Sequence, residues 1–358
     1  MLQIFGFGIN YLLTSVLATY AIIATTIAFL TCFFGTRYLI SYLPRKQMTV
    51  MDYHKEGKPP IPRPGGPAII AAVTITEIIL FTVTGSLSIL GLAIVTLISG
   101  VIGVIDDLKT LGGVVKPAVL LIGGIPLIAL QYLFPNAKVF DHHLYLPLFS
   151  TPTNIPLIYP LLILVAIPVV TNTINTIDVL NGVVSGFILI AFVPLVFAMV
   201  LRLVVGKENP VVFVSVLPVI AATIAFYWFH KFPSKIFPGD SGAMALGAAY
   251  GAVAIIGGVE VVAVIAILPA IMNSFFFLSS VKRLVEHREI KSQPTLILPD
   301  NKMVASQDPK APVTLMRLLV SAKAKSEKEI GKDILALTAF SSFLAILTAL
   351  MTWVITIG

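Results

Sequence analysis

Ten long apolar stretches divide this chain, most of them close to the roughly 20 residues an α-helix needs to cross the hydrocarbon core of a bilayer. They run near 12–35, 67–84, 87–105, 117–134, 155–171, 184–201, 211–229, 243–257, 259–281 and 334–357, with only Gly257-Gly258 between the eighth and ninth. A segment in lipid must satisfy its own backbone polar groups, so such stretches become helices. A water-soluble alternative fails on charge. Only 11% of the 358 residues are Asp, Glu, Lys or Arg, against roughly 25% in soluble domains. The expected fold is therefore an all-α polytopic membrane protein of about ten transmembrane helices. It forms one domain over 1–358, with a long loop at 282–333. The first stretch has no basic segment before it and no small-residue cleavage site, so it is expected to be a retained helix rather than a signal peptide. Cys32, the single cysteine, lies inside it, which excludes an intramolecular disulfide and suggests an ordinary buried thiol.

Ten spans place the loops 36–66, 106–116, 172–183, 230–242 and 282–333 on one side and both termini on the other. All of the 24 Lys and Arg residues except Lys138, Arg202 and Lys207 fall on the first side, which the positive-inside tendency makes cytoplasmic. The expected location is the cell membrane, with both termini on the non-cytoplasmic side. The net charge of +7 then reflects topology and attraction to anionic lipid, not a nucleic-acid footprint. Within 282–333, the alternation around Thr295-Leu296-Ile297-Leu298 suggests a small hairpin. Ser321 to Lys332 reads as a solvated helix or tail. No internal repeat is visible.

Three polar motifs interrupt the apolar pattern, all on the side expected to be cytoplasmic. A central Asp costs about 2.5 to 3.5 kcal/mol on insertion scales, so carboxylates at several helix ends ask for a partner. In Gly103-Val104-Ile105-Asp106-Asp107, adjacent helical residues diverge by about 100°, so the two acids are expected to have different jobs. One would serve a metal or its water shell, the other an acceptor phosphate or a nearby lysine such as Lys116. The alternative is a solvated helix end with Asp107 as a cap. In Asn172 to Gly182, Asn172, Asn175 and Asp178 keep within an arc of roughly 120° on a helix, whereas Asn181 falls about half a turn away. Asn181-Gly182 is a turn signal that should break the helix. The first three would offer oxygen ligands and amide donors to metal and phosphates, and Asn181 would read a nucleobase edge; a polar helix interface is the alternative. Asp240, framed by Gly239 and Gly242 at the start of the eighth span, suits a hard cation and a phosphate, or else a helix cap. In the long loop, Arg283, His287 and Arg288 offer phosphate recognition, or a solvated basic face. His142-His143 lies on the other side and is assigned no site. Glu77, inside the second span, is given no role.

These motifs, in this order and on one side of ten spans, resemble the polyprenyl-phosphate N-acetylhexosamine-1-phosphate transferases. The resemblance covers nearly the whole chain, including Asp52-Tyr53-His54-Lys55 and Ile61-Pro62-Arg63-Pro64-Gly65-Gly66. It implies transfer of a sugar 1-phosphate from a UDP-sugar to a polyprenyl phosphate at the bilayer, with release of UMP and with Mg2+, or Mn2+ in its place, as cofactor. It also implies that Asn175 and Asp240 hold the metal, that Asp106 and Asp107 flank the acceptor phosphate, and that Asn181 lies near uracil. Lys116 and Arg288 would contact the donor, His287 and Arg63 would bind substrate, Asn172 would join them, and Asp178 would be catalytic. Whether Asp106 or Asp107 acts as base or nucleophile stays open, with direct attack by the lipid phosphate favoured. The peptidoglycan branch carries a histidine cluster in the last cytoplasmic loop, where this chain has only His287. His287-Arg288 resembles the Arg-His-Arg run of the dolichyl-phosphate N-acetylglucosamine branch, although Glu286 replaces the first Arg. Asp178 resembles the bacterial type. This mixture is similar to archaeal members that start protein N-glycans on dolichyl phosphate, so GlcNAc is the expected sugar. No nucleic acid is implied, and a homodimer is compatible. The competing class is a transporter, which should show inverted halves and midplane charges; the motifs instead sit at helix ends on one face.

Overall fold

The computed structural model describes residues 2–53, 57–149, 151–206, 209–282 and 290–355. Among these, nine helices are long and apolar enough to cross a membrane, or ten if one bent pair is a single span. The molecule is an all-α integral membrane protein, as the apolar pattern predicts.

The chain shuttles between two ends. Helix α1 (Leu2–Tyr42) leads into a hairpin of β1 (Thr49–Met51) and β2 (Pro60–Pro62), which delivers Arg63 to the start of α2 (Gly66–Thr84). Gly85 takes a left-handed conformation at φ 67° and closes α2 through its N–H to Phe81, as a C-terminal glycine does. Helix α3 (Leu87–Leu108) returns to the first end with the Asp pair in its last turn. The fourth span is broken: α4 (Val115–Leu120) passes through a 3-10 turn at Leu121–Gly124 into α5 (Ile125–Leu133). Pro126 lacks a donor N–H there, and Gly124 lies against the backbone of Ile163. Then follow α6 (Tyr159–Thr176), α7 (Val183–Val204), α8 (Pro210–His230) and α9 (Gly239–Ile256). The ninth span bends by 66° between α10 (Glu260–Ala266) and α11 (Leu268–Val281), where Pro269 removes another donor. After a short α12 (Leu315–Leu319), α13 (Glu327–Leu350) returns to the far end.

Helix α9 is the axis of the fold. Every one of its residues is buried, and its Gly- and Ala-rich sequence is what allows neighbours to come close. A Cβ on Gly103 of α3 would lie 2.5 Å from the Ser241 Cα, and one on Gly66 of α2 would lie 2.2 Å from the Gly242 nitrogen. Small residues replace the hydrophobic drive that lipid does not supply.

Two expectations about the long loop meet different outcomes. The hairpin is present, with β3 (Thr295–Ile297) antiparallel to β4 (Lys302–Ala305) and Leu296 opposite Val304. Of Ser321 to Lys332, the part from Glu327 is helical with Lys328, Glu329 and Lys332 exposed, but it is not wholly solvated, since Glu327, Ile330 and Gly331 are buried. Lys325–Ser326 forms a third strand, β5, and Glu327 opens the last span seven residues before the apolar stretch begins. A capping box between Ser326 and Glu329 nucleates this start, so local capping extends the helix beyond its greasy part.

At the far end, Arg202 stacks over the rings of Tyr145 at 4.6 Å and Trp353 at 5.7 Å. His143 pairs with Asp141 there, remote from the motif loops. Cys32 is buried, and Glu77 is wholly buried within α2.

Candidate active site

The segments 43–53, 57–65, 109–114, 177–182 and 231–238 gather at one end, and the polar motifs meet over the N-terminus of α9. Gly239 begins that helix at φ 71°, and a side chain on it would collide with the Asp107 carboxylate, 2.6 Å away. Only glycine fits this position. Asp107 accepts the N–H groups of Asp240 and Ser241, each at 2.9 Å. It thus satisfies two of the orphan donors of α9 and sits on the positive end of its dipole. Asp107 is a cap, but for a helix over a hundred residues further on rather than for its own next turn.

Asp106 points elsewhere, as the divergence of neighbouring helical residues requires. It is fully buried, accepts the Leu111 N–H at 2.6 Å, and pairs with the Lys116 Nζ at 2.6 Å. Lys116 bridges from there to the Asp240 Oδ1 at 2.8 Å. The Asn175 Nδ2 donates to that same oxygen at 2.9 Å, and the Arg63 Nη2 lies 2.6 Å from the other oxygen and 3.0 Å from the Asp107 Oδ1. Asp240 is therefore the centre of the cluster, held by two cations and an amide. Burial opposes the charge on Arg63, but Asp107, Asp240 and Asp178 outweigh it and hold its pKa above the ordinary value.

Asn172 sits one turn before Asn175 on α6, half-buried. The expectation that Asp178 shares their helical face needs correction. Helix α6 ends at Thr176, and Asp178 belongs to the following turn, its N–H reaching the Asn175 carbonyl at 3.3 Å. The break comes early because the turn is gripped from outside at Asn181-Gly182. Gly182 stands at φ 80°, with room for a Cβ taken by Lys231 backbone at 3.0 Å. The half-buried Asp178 carboxyl is pushed up to about 8, first by burial and then by Asp240 and Asp107, against the pull of Arg63. Asn181 is buried, and its side chain binds Asp52, Glu327 and the Ser234 backbone. In this arrangement its amide joins loops rather than presenting itself to a nucleobase. His287 and Arg288 lie outside the described residues.

Sequence reasoning passed over Glu327, Ser234 and His230. Nothing local marks them: Glu327 sits among other charges, and its burial is decided by a residue far off in the chain.

Among the described residues no three His, Cys, Asp or Glu stand close enough together to form a ready metal cluster. The donor set still suits a hard divalent cation. The carboxyl groups of Asp106, Asp107, Asp178 and Asp240 outnumber Arg63 and Lys116, and no thiol or imidazole competes among the groups around Asp240. Mg2+ takes one or two protein carboxylates and completes its shell with water and substrate oxygens, so an incomplete protein set is what such a site offers.

The sequence pattern described as Glycosyl transferase family 4 matches residues 89–258, from the beginning of α3 to just past α9. That range holds Asp106, Asp107, Lys116, the Asn172–Asn181 segment and Asp240, and leaves out Arg63 and the long loop. A phospho-N-acetylmuramoyl-pentapeptide-transferase of Bacillus cytotoxicus is 31% identical over 206 residues, 54% of this chain and 60% of that relative. One of Gemmatimonas aurantiaca is 31% identical over 56% of this chain and 60% of its own length. A Saccharolobus solfataricus protein provisionally named UDP-N-acetylglucosamine–dolichyl-phosphate N-acetylglucosaminephosphotransferase is 25% identical over 69% of this chain and 74% of its own.

Proposed function

We propose, from the premise that the chain belongs to glycosyl transferase family 4, that it transfers GlcNAc-1-phosphate from UDP-GlcNAc to a polyprenyl phosphate of the dolichyl type. UMP would leave, and the lipid-linked pyrophosphoryl sugar would start glycan assembly, in the manner of N-glycans. The observation that carries this reading is the Asp240 cluster: a carboxylate at the buried N-terminus of α9, with Lys116 and Arg63 on its two oxygens. Two cations paired to one acid can turn to a pyrophosphate when it arrives, and phosphoryl transfer needs chiefly positioning and charge stabilisation.

Asp240 and Asn175 would hold Mg2+, for which Mn2+ could substitute. A divalent cation there supplies neutralisation of donor phosphate charge. In the reaction, an oxygen of the lipid phosphate forms a bond to the sugar-linked phosphorus as the bond from that phosphorus to the UMP oxygen breaks. Direct attack accords with the two acids of α3. Asp107 has both oxygens on backbone donors, and Asp106 is locked beneath Lys116, so neither is offered as a nucleophile. A site at helix ends, where the basic loops make the cytoplasmic leaflet the expected side, suits a water-soluble donor meeting a lipid acceptor.

The relatives named for a muramoyl-pentapeptide substrate favour a second donor, UDP-MurNAc-pentapeptide. The single histidine between residues 282 and 333 speaks for GlcNAc instead. The test is UMP release by the purified protein with dolichyl or undecaprenyl phosphate, Mg2+ and a panel of UDP-sugars. Release with UDP-GlcNAc that needs both lipid and metal is expected. Release only with the muramoyl donor would replace the sugar, and none with any pair would remove the transferase reading.

A further inference from the structure

Four segments of the site end converge on the buried side chain of Asn181. Its Nδ2 donates to the Asp52 Oδ2 at 3.2 Å and also to the Glu327 Oε1. Its Oδ1 accepts the Ser234 N–H at 2.7 Å, and its own N–H donates to the Glu327 Oε1 at 2.9 Å. Two of these partners and the turn itself lead to charged residues of the site. Asp52 follows β1 in the hairpin that presents Arg63, Ser234 lies in the loop that leads into α9 and Asp240, and the turn 177–182 carries Asp178, three residues after Asn175. A second fastening lies beside it, where the His230 Nε2 accepts the Gly182 N–H at 3.3 Å and its Nδ1 pairs with the Ser185 Oγ at 2.8 Å.

Glu327 is the outlier among these partners. It is the first residue of α13, a helix that places no side chain in the Asp240 cluster among the described interactions. Yet it is buried, and a single oxygen accepts two donors from one residue 146 positions earlier. A buried acid that contacts no cation in these bonds is costly to keep, so it calls for a reason.

We propose that Glu327 is a positioning residue for the transfer reaction, touching neither donor nor acceptor, which locks the 177–182 turn so that Asn175 and Asp178 stay against Asp240. The proposal rests on the transferase reading for its kinetic part only. The last helix then acts as the anchor of a site built by other helices.

The test compares Glu327→Ala and Glu327→Gln in the full chain. Gln keeps an acceptor oxygen for both Asn181 donors, and Ala removes it. Two readouts are taken: amide hydrogen exchange over 177–186 without substrates, and kcat and KM for the UDP-sugar. Outer supports of a site typically cost about 10 to 100-fold when removed. Glu327→Ala should therefore lower kcat about tenfold or more with KM changed less than about threefold, and exchange at Asn181 and Gly182 should quicken by a similar factor. Glu327→Gln should stay near wild type in both. Unchanged exchange and turnover in the Ala variant overturns the proposal, and so does a Gln variant as impaired as Ala, since charge rather than the shared acceptor would then matter. Should the Ala variant not fold, Glu327→Asp, one methylene too short to reach both donors, takes its place with the same expected loss. A wild type inactive with every donor sinks the transferase reading, while the exchange comparison still judges the turn.

Discussion

Asp240 carries more of the site than any other residue, because both of its oxygens are engaged by groups from three different segments. Replacing it with Ala removes the proposed metal ligand and the carboxylate shared by Lys116 and Arg63, leaving each with one acid, Asp106 and Asp107. Turnover is expected to fall by more than about 100-fold, beyond the 10 to 100-fold typical of supporting residues. UMP release by the purified variant measures this, and near-normal activity would take Asp240 out of the centre. Asp178 makes a different kind of prediction. Its folded carboxyl titrates at about 8 against an ordinary value of 3.8. Over that window the folded chain binds a proton that the unfolded chain has lost, so stability falls as pH rises from about 4 to 8 and then levels off. Because the group is only half-buried, solvent screens part of the effect. Melting temperatures in detergent at acidic, neutral and basic pH, without divalent cations, should show a smaller pH dependence in Asp178→Asn than in wild type. Parallel curves for the two proteins would mean that Asp178 titrates as an ordinary surface acid.

Elements whose existence rests on solvent preference were legible in the sequence, and those that rest on contact were not. Hydropathy marks the spans because lipid imposes the same rule on each, and Gly182 marks the turn before α7 because no other residue takes its conformation against the Lys231 backbone. The end of α6 was placed too late. Periodicity kept Asp178 on the helix, whereas the grip on Asn181 from Asp52, Ser234 and Glu327 ends the helix at Thr176. The start of the last span was placed too late for a related reason: five of the seven residues from Glu327 to Asp333 are charged and read as a solvated helix or tail, whereas a tertiary partner buries Glu327. The α3–α9 contact is the element on which the site most depends. A methyl group on Gly103 would stand 2.5 Å from the Ser241 Cα and 2.7 Å from the Asp240 carbonyl oxygen. Those are backbone atoms, which cannot swing aside as a flexible side chain can. Gly103→Ala should therefore destabilise by about 1 to 3 kcal/mol, the usual cost of overpacking, and lower activity as Asp107 is pushed off the start of α9. Unfolding and UMP release measured together check this; a variant with wild-type values in both would show that the two helices can separate without loss.

At the scale of the whole molecule, the question is which leaflet the site faces. Among the described residues, the motif loops and most of the Lys and Arg residues share one end, while the far end keeps Lys138 and Arg202. Arg202 is buried between Tyr145 and Trp353, so its charge is held inside the fold rather than presented to the loop surface and weakens the asymmetry less than a count suggests. Exposed Lys and Arg near span ends set orientation, and the far end presents few of them. The site end is thus expected in the cytoplasm, where a nucleotide-activated donor is dissolved. Single cysteines placed at Lys310, in the long loop, and at Lys138, in the far loop, test this in a Cys32→Ser background. In intact cells a membrane-impermeant thiol reagent should label the cysteine at 138 and spare the one at 310 until the membrane is broken. The reverse pattern would place the Asp240 cluster outside. A cytosolic UDP-sugar could not then reach Lys116 and Arg63, and the proposed reaction would fail on topology even with its residues intact.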